Sequence, residues 1–259
     1  MAKVIAIANQ KGGVGKTTTS VNLSSCLAYK GKKVLVVDID PQGNTTSGLG
    51  IDKKTINKSI YDVLINDEKI ENTYVNTVVD NLLLSPSNIQ LAGAEVELVS
   101  TISRETRLKM ALEGIRNSFD FIIMDCPPSL GLLTINSLTA SDTVLVPIQC
   151  EYYALEGLSQ LMNTVKLVQK HLNPQLDVEG VVLTMFDART NLSLQVVDEV
   201  KKYFKNKVYR TVIPRNVRLS EAPSFGLPII LYDPKSKGSD CYLELAEEVI
   251  GYSEEVKRA

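Results

Sequence analysis

The sequence predicts an α/β fold, a doubly wound and mostly parallel sheet with helices on both faces, in one domain over residues 1–259. Three observations carry this. Short apolar runs alternate with helix-period stretches along nearly the whole chain, the pattern of repeated βα units. Val34-Leu35-Val36-Val37 and Phe121-Ile122-Ile123-Met124 are continuous rather than alternating, as in strands covered on both faces. The apolar run Val4–Ala8 leads directly into a glycine-rich turn and then a helix start at Lys16-Thr17. No internal repeat, low-complexity tract or Pro/Ser-rich linker divides the chain.

In chain order, the first strand is expected at 3–8 and the first helix at 16–30, with Gly31 placed for a left-handed cap. Strand 33–38 and helix 59–65 follow, then strand 81–85 and helix 103–117. Strand 120–125 stops abruptly at Pro127-Pro128, ahead of helix 130–140 and strand 143–148. Helix 152–172 spaces Leu155, Leu158, Met162, Val165, Val168 and Leu172 at three and four, which gives it one buried face. Strand 178–185, helix 191–205, strand 208–213 and helix 239–256 complete the series.

Composition narrows the function classes. An apolar fraction of 44% with 22% charged residues is that of an ordinary globular protein, and 259 residues suit one large α/β domain. With no apolar run of 18 residues and no signal-peptide layout, a cytoplasmic protein is expected. Cys26, Cys126, Cys150 and Cys241 are widely spaced without a CxxC pair, so buried reduced thiols are expected. His171, the only histidine, sits near a helix end with no metal partner in the pattern.

The chemistry begins at Lys11-Gly12-Gly13-Val14-Gly15-Lys16-Thr17-Thr18. A buried strand, a glycine turn and Lys-Thr opening a helix form the layout of a nucleotide phosphate cradle. The glycines let successive N–H groups point at one spot, and the helix adds its positive end there. Lys16 supplies charge to the β- and γ-phosphates and Thr17 a hydroxyl for Mg²⁺. The usual glycine is replaced by Gln10, and a second lysine, Lys11, precedes the paired glycines. At the rim, Lys11 is better placed to reach outward than to curl onto phosphates that Lys16 already contacts. Asp38 and Asp40 end the second strand in Asp38-Ile39-Asp40-Pro41-Gln42-Gly43-Asn44, where loops line a ligand crevice and an acid can hold Mg²⁺ or position water. Asp125 ends Phe121–Met124 in the same manner, as an acid within reach of the metal.

KGGVGKTT resembles the deviant Walker A motif of the ParA/MinD group of P-loop ATPases. The resemblance runs from Lys3 to about Glu248, and DIDPQGN resembles that group's partner motif. It implies ATP and Mg²⁺ as cofactors and an ATP-dependent homodimer in which Lys11 reaches the phosphates of the other subunit. It implies that Asp40 orients the hydrolytic water, with Asp38 a helper near the metal, and that Pro214 and Asn216 close on adenine. The stretches FDARTNLSLQV and PRNVRLSEAP match chromosomal Soj-like partition ATPases. There, arginines at the positions of Arg189 and Arg218 serve sequence-independent binding of double-stranded DNA. Independently, residues 187–218 carry eight cationic against three acidic side chains, +5 in a chain of −2 overall. Such a local basic surface suits phosphate-backbone contact. The resemblance also implies a ParB/Spo0J-type partner that stimulates a weak ATPase, and a nucleoid-associated location. The cradle begins nine residues in, so the amino-terminal helix-turn-helix domain of longer plasmid ParA proteins is not expected. The alternative is a MinD-like membrane-site ATPase. That group ends in a basic amphipathic helix, whereas residues 244–259 here carry five glutamates against Lys257 and Arg258, and no membrane contact is expected.

Overall fold

Eight strands form one sheet in the computed structural model, which describes residues 1–151 and 156–258. The strands are β1 (Lys3–Ile7), β2 (Val34–Asp38), β3 (Val75–Asn76), β4 (Leu82–Ser85), β5 (Phe121–Asp125), β6 (Thr143–Gln149), β7 (Asp177–Phe186) and β8 (Val208–Pro214). Their spatial order is β3-β4-β2-β5-β1-β6-β7-β8, and every described pair is parallel except the edge pair β3–β4. The helices between them are α1 (Lys16–Tyr29), α2 (Asn44–Gly48), α3 (Ile60–Ile65), α4 (Leu91–Glu97), α5 (Arg107–Glu113), α6 (Leu132–Ala140), α7 (Glu156–His171) and α8 (Asn191–Phe204). The chain closes with α9 (Val217–Glu221), α10 (Ile229–Tyr232) and α11 (Lys237–Arg258).

The continuous apolar runs have a direct cause. Side chains alternate across a strand, and both faces of the central strands are covered. Ile5, Ile7, Val34, Val36 and Ile123 pack with Leu23 and Leu27 of α1 and Tyr242 and Leu245 of α11. Val4, Ala6, Leu35, Val37 and Ile122 pack on the other face with Leu64, Leu108, Leu133 and Leu161.

Strand order explains the position of the site. The chain leaves β1 for β2 on one side, and later leaves β5 for β6 on the other side of β1, so the carboxyl end of β1 lies at a switch point of the sheet. The register aligns Ile7 and Asp38 with Asp125, which brings the cradle entrance and two acids to one level.

Several elements depart from expectation. Helix 103–117 contracts to α5, since Ser103 is left-handed (φ 56°) and turns flank both ends. Residues 152–155 of the expected helix 152–172 lie outside the described residues. The last helix starts earlier than 239 because the Ser236 hydroxyl accepts the Ser239 N–H at 3.2 Å. Gly31 is left-handed (φ 80°) and donates to the Ala28 carbonyl, as the cap expectation required. The short helix expected after the Pro214–Asn216 turn is α9, whereas the short elements β3, α2, α4 and α10 were not anticipated. No described helix is long and apolar enough to cross a membrane.

Candidate functional site

The turn between β1 and α1 is built by glycines where the backbone needs them. Gly13 (φ 74°) and Gly15 (φ 91°) are left-handed, and no atom lies within 4 Å of where a Cβ on Gly12 or Gly13 would sit, so this face of the turn is open. Side chains from neighbouring strands hold the turn from behind. Asn9 donates to the Pro147 carbonyl of β6 at 2.8 Å and accepts the Lys11 N–H at 3.0 Å. Thr184 of β7 donates to the carbonyl of the buried Val14 at 2.8 Å. Thr18 faces partly outward, and its carbonyl accepts from Asn22.

Lys16 lies under the turn, 7% exposed, and its ammonium donates to the Lys11 carbonyl at 3.0 Å. Burial lowers its pKa, opposed by the nearby Asp125, Cys126 and Asp40. The Lys11 ammonium has no carboxylate or hydrogen-bond acceptor among the described residues, although its backbone is held at both ends.

Asp125 is fully buried and accepts three hydroxyls: Thr17 at 2.9 Å and Thr45 at 2.7 Å on Oδ2, and Ser20 at 2.9 Å on Oδ1. Burial raises its pKa against these bonds. A carboxylate beside a helix-opening threonine hydroxyl, next to a phosphate cradle, is a hard-oxygen donor set that fits Mg²⁺. Asp38 is also fully buried, with a pKa raised by burial and then by Asp125. Both its oxygens are engaged, Oδ2 by the Thr46 N–H (2.8 Å) and hydroxyl (2.7 Å), Oδ1 by the Asp40 N–H (3.2 Å). Asp38 thus sits beside the acid at the cradle but spends its lone pairs on the loop that follows it. Asp40 accepts the Gln42 N–H on Oδ1 at 2.9 Å, and its Oδ2 has no protein partner among the described residues.

The remaining expected residues lie further along the sheet. Pro214 ends β8, paired with Phe186 of β7, at the same carboxyl edge as the cradle. Asn216 caps α9, accepting the Arg218 N–H at 2.8 Å. The chain after it folds back on α1, where Asn22 accepts the Ile229 N–H at 2.7 Å. Arg189 is 88% exposed but forks onto Asp187, at 2.9 and 2.7 Å. Arg218 pairs with Glu221 and Asp233. Of the eight cations of this segment, Lys201, Lys202, Lys205 and Arg210 have no carboxylate within 4 Å among the described residues. Cys126 is buried, its thiol pushed up to about 12 by burial, and all four cysteines are free.

Sequence reasoning missed the hydroxyl and amide side chains that hold the site: Asn9, Ser20, Thr45, Thr46, Ser87 and Thr184. Two features were readable in principle. Thr45 and Thr46 follow the Asp38–Gly43 turn, and Ser20 lies one helical turn beyond Lys16-Thr17.

Comparison with known proteins places this geometry in a family. A family described as "AAA domain" matches residues 2–178. The sporulation initiation inhibitor protein Soj of Bacillus subtilis is 69% identical over 249 residues, 96% of this chain and 98% of that protein. The chromosome partitioning protein ParA of Myxococcus xanthus is 55% identical over 250 residues, 96% of this chain and 88% of that protein. Among solved structures, cobyrinic acid a,c-diamide synthase of Mycobacterium smegmatis, with bound ADP and magnesium, superposes with a TM-score of 0.87 at 39% identity, over 98% of this chain and 96% of that one. The cell division ATPase MinD of Pyrococcus furiosus superposes with a TM-score of 0.80 at 28% identity, over 97% and 100%. The chain belongs to the Soj/ParA family.

Proposed function

We propose that this chain is a partition ATPase: it binds Mg-ATP, forms a homodimer around two nucleotides, and binds double-stranded DNA without sequence preference. The observation that supports this most is the convergence of Lys16, Thr17, Asp40 and Asp125 at the ends of β1, β2 and β5, with the Lys11 ammonium bonded to no acceptor among the described residues. Relatives named chromosome partitioning protein ParA, from Myxococcus xanthus and Caulobacter vibrioides, are matched over 88% and 94% of their length.

In this reading the backbone N–H groups of residues 12–17 and the Lys16 ammonium hold the β- and γ-phosphates. Thr17 and Asp125 would hold Mg²⁺, which would supply positive charge to offset that of the phosphates. Asp40 accepts a hydrogen bond from the attacking water through its free oxygen and so aligns it with phosphorus. Lys11 of each subunit adds charge to the phosphates of the other, and Pro214 and Asn216 border the adenine. Dimerisation doubles the cation array that includes Arg189 and Arg218, which explains how an anionic nucleotide promotes DNA binding. A ParB/Spo0J-type protein stimulates hydrolysis and so releases DNA, at the nucleoid. The membrane alternative gains nothing from α11, whose Glu247 and Glu254 pair with Lys30 and Lys32, just after α1.

The decisive experiment measures ATP hydrolysis by the purified protein alone, with duplex DNA, and with DNA plus a ParB-type protein. Slow turnover accelerated by the two together supports the assignment, and a rate indifferent to both removes it.

A further inference from the structure

A closed circuit of hydrogen bonds lies behind Asp40. Asp38 Oδ1 accepts the Asp40 N–H at 3.2 Å, and Asp38 Oδ2 accepts the Thr46 hydroxyl at 2.7 Å. The same Thr46 oxygen accepts the Ser87 N–H at 3.0 Å, and the Ser87 hydroxyl donates back to the Asp40 carbonyl at 2.8 Å. The circuit joins three parts of the chain: the end of β2, the first turn of α2 and the loop after β4. Asp38, Thr46 and Ser87 are each wholly inaccessible to solvent.

The circuit grips both backbone polar atoms of Asp40. The Ser87 hydroxyl makes this one hydrogen bond, and the Gly43 N–H also donates to the Asp40 carbonyl at 2.9 Å, so the turn keeps a bond without Ser87. Gly43 adds shape to the clamp, since a Cβ there would lie 3.0 Å from the Ser87 carbonyl oxygen. The Asp40 side chain meanwhile commits only Oδ1, to Gln42. A carboxylate with one free oxygen orients a water only as accurately as its own Cα is held, and an error of about 1 Å in a reacting group costs up to about a hundredfold in rate.

We propose that Ser87 and Thr46 are positioning residues for Asp40: they fix its backbone so that its free oxygen addresses the attacking water. This rests on the ATPase reading above. Both residues are wholly inaccessible to solvent and so to a ligand in the cleft, and the clamp acts on turnover and not on nucleotide affinity.

The test is steady-state hydrolysis of Mg-ATP by the full chain, as kcat and KM, with thermal unfolding of each variant. Ser87→Ala is expected to lower kcat about tenfold with KM unchanged, the fold-change of one lost hydrogen bond at a positioned group. Thr46→Val, which removes the hydroxyl and keeps the shape, should behave alike, and Thr46→Ser should recover most of what Thr46→Val loses. In an Asp40→Ala background, Ser87→Ala should lower the residual rate no further, because the clamp acts only through Asp40. A Ser87→Ala kcat equal to wild type, a change confined to KM, or a full second loss in the Asp40→Ala background overturns the proposal. If Ser87→Ala fails to fold, the Thr46→Val and Thr46→Ser pair decides, and equal rates for the two overturn it. A wild-type rate retained by Asp40→Ala has a different meaning: the ATPase assignment of Asp40 is then wrong, and the clamp falls with it.

Discussion

Replacing Lys16 with alanine separates nucleotide recognition from folding. The ammonium is buried under the glycine turn and makes one hydrogen bond of 3.0 Å to the Lys11 carbonyl. A charge-assisted bond from ammonium to phosphate contributes about 1.5–3 kcal/mol, and Lys16 is placed to reach two phosphates, so about 3 kcal/mol is the smallest credible loss. At about 1.4 kcal/mol per tenfold, Lys16→Ala weakens ATP binding by at least about a hundredfold. The cost to the fold is small. One neutral acceptor loses its partner, about 1 kcal/mol, while the penalty of burying the charge disappears with it. Titration with a fluorescent ATP analogue in Mg²⁺, beside denaturant unfolding of the nucleotide-free protein, reads the two effects separately. Affinity within about threefold of wild type would place the phosphates elsewhere. A large drop in unfolding free energy would mean that the binding loss reports damage to the fold.

Lys11→Ala should bind ATP nearly as wild type yet remain monomeric by size-exclusion chromatography with ATP; an affinity loss equal to that of Lys16→Ala would mean that Lys11 acts within its own subunit. Asp40→Ala should retain ATP, lose turnover and elute as a stable dimer, and a monomeric elution would refute the role assigned to it. Arg189→Glu or Arg218→Glu should weaken DNA binding without changing ATP binding, and each lost phosphate contact should lower the slope of log affinity against log salt by about 0.9 in mobility-shift titrations. For pH the sign follows from Asp38, whose folded pKa is raised above the ordinary 3.8 by burial and by Asp125. The native state then holds a proton that the unfolded chain releases, so its contribution to stability declines as pH rises from about 4 toward the raised folded value. Denaturant unfolding of the nucleotide-free protein at pH 5.5 and 7.5 should show a smaller decline for Asp38→Asn than for wild type.

The parts of the molecule that the sequence discloses are those governed by local rules. The central strands announce themselves because burial on both faces forces an unbroken apolar run, as at 34–37 and 121–124. Lys16, Thr17, Asp40 and Asp125 are legible because strand ends and glycine turns fix their spacing. The two-residue strand β3 and the five-residue helix α2 lack the length for any period to show. Ser87 and Thr184 act through partners 47 and 170 residues away, so no window of sequence marks them. The pairing of Arg189 with Asp187 was visible as two residues in the basic tract, but only the folded loop turns them toward each other. That pairing lowers the carboxyl of Asp187 well below its ordinary range, and DNA phosphate would have to compete with it for the guanidinium.

The bond from Thr184 to the Val14 carbonyl has a mechanical consequence. Two residues beyond Thr184, β7 ends at Phe186, and Asp187-Ala188-Arg189 follow at once. The Arg215 N–H donates to the Phe186 carbonyl at 3.1 Å, which ties in the segment that leads to Arg218. The end of β7 therefore has the phosphate turn fastened near its tip and both cationic loops just beyond, with a bend between them where Met185 is left-handed (φ 51°) and the pairing with β8 slips between Leu183 and Phe186. Thr184 thus ties the position of the glycine turn to the bend from which both cationic loops leave, so the two are held by one short stretch of β7.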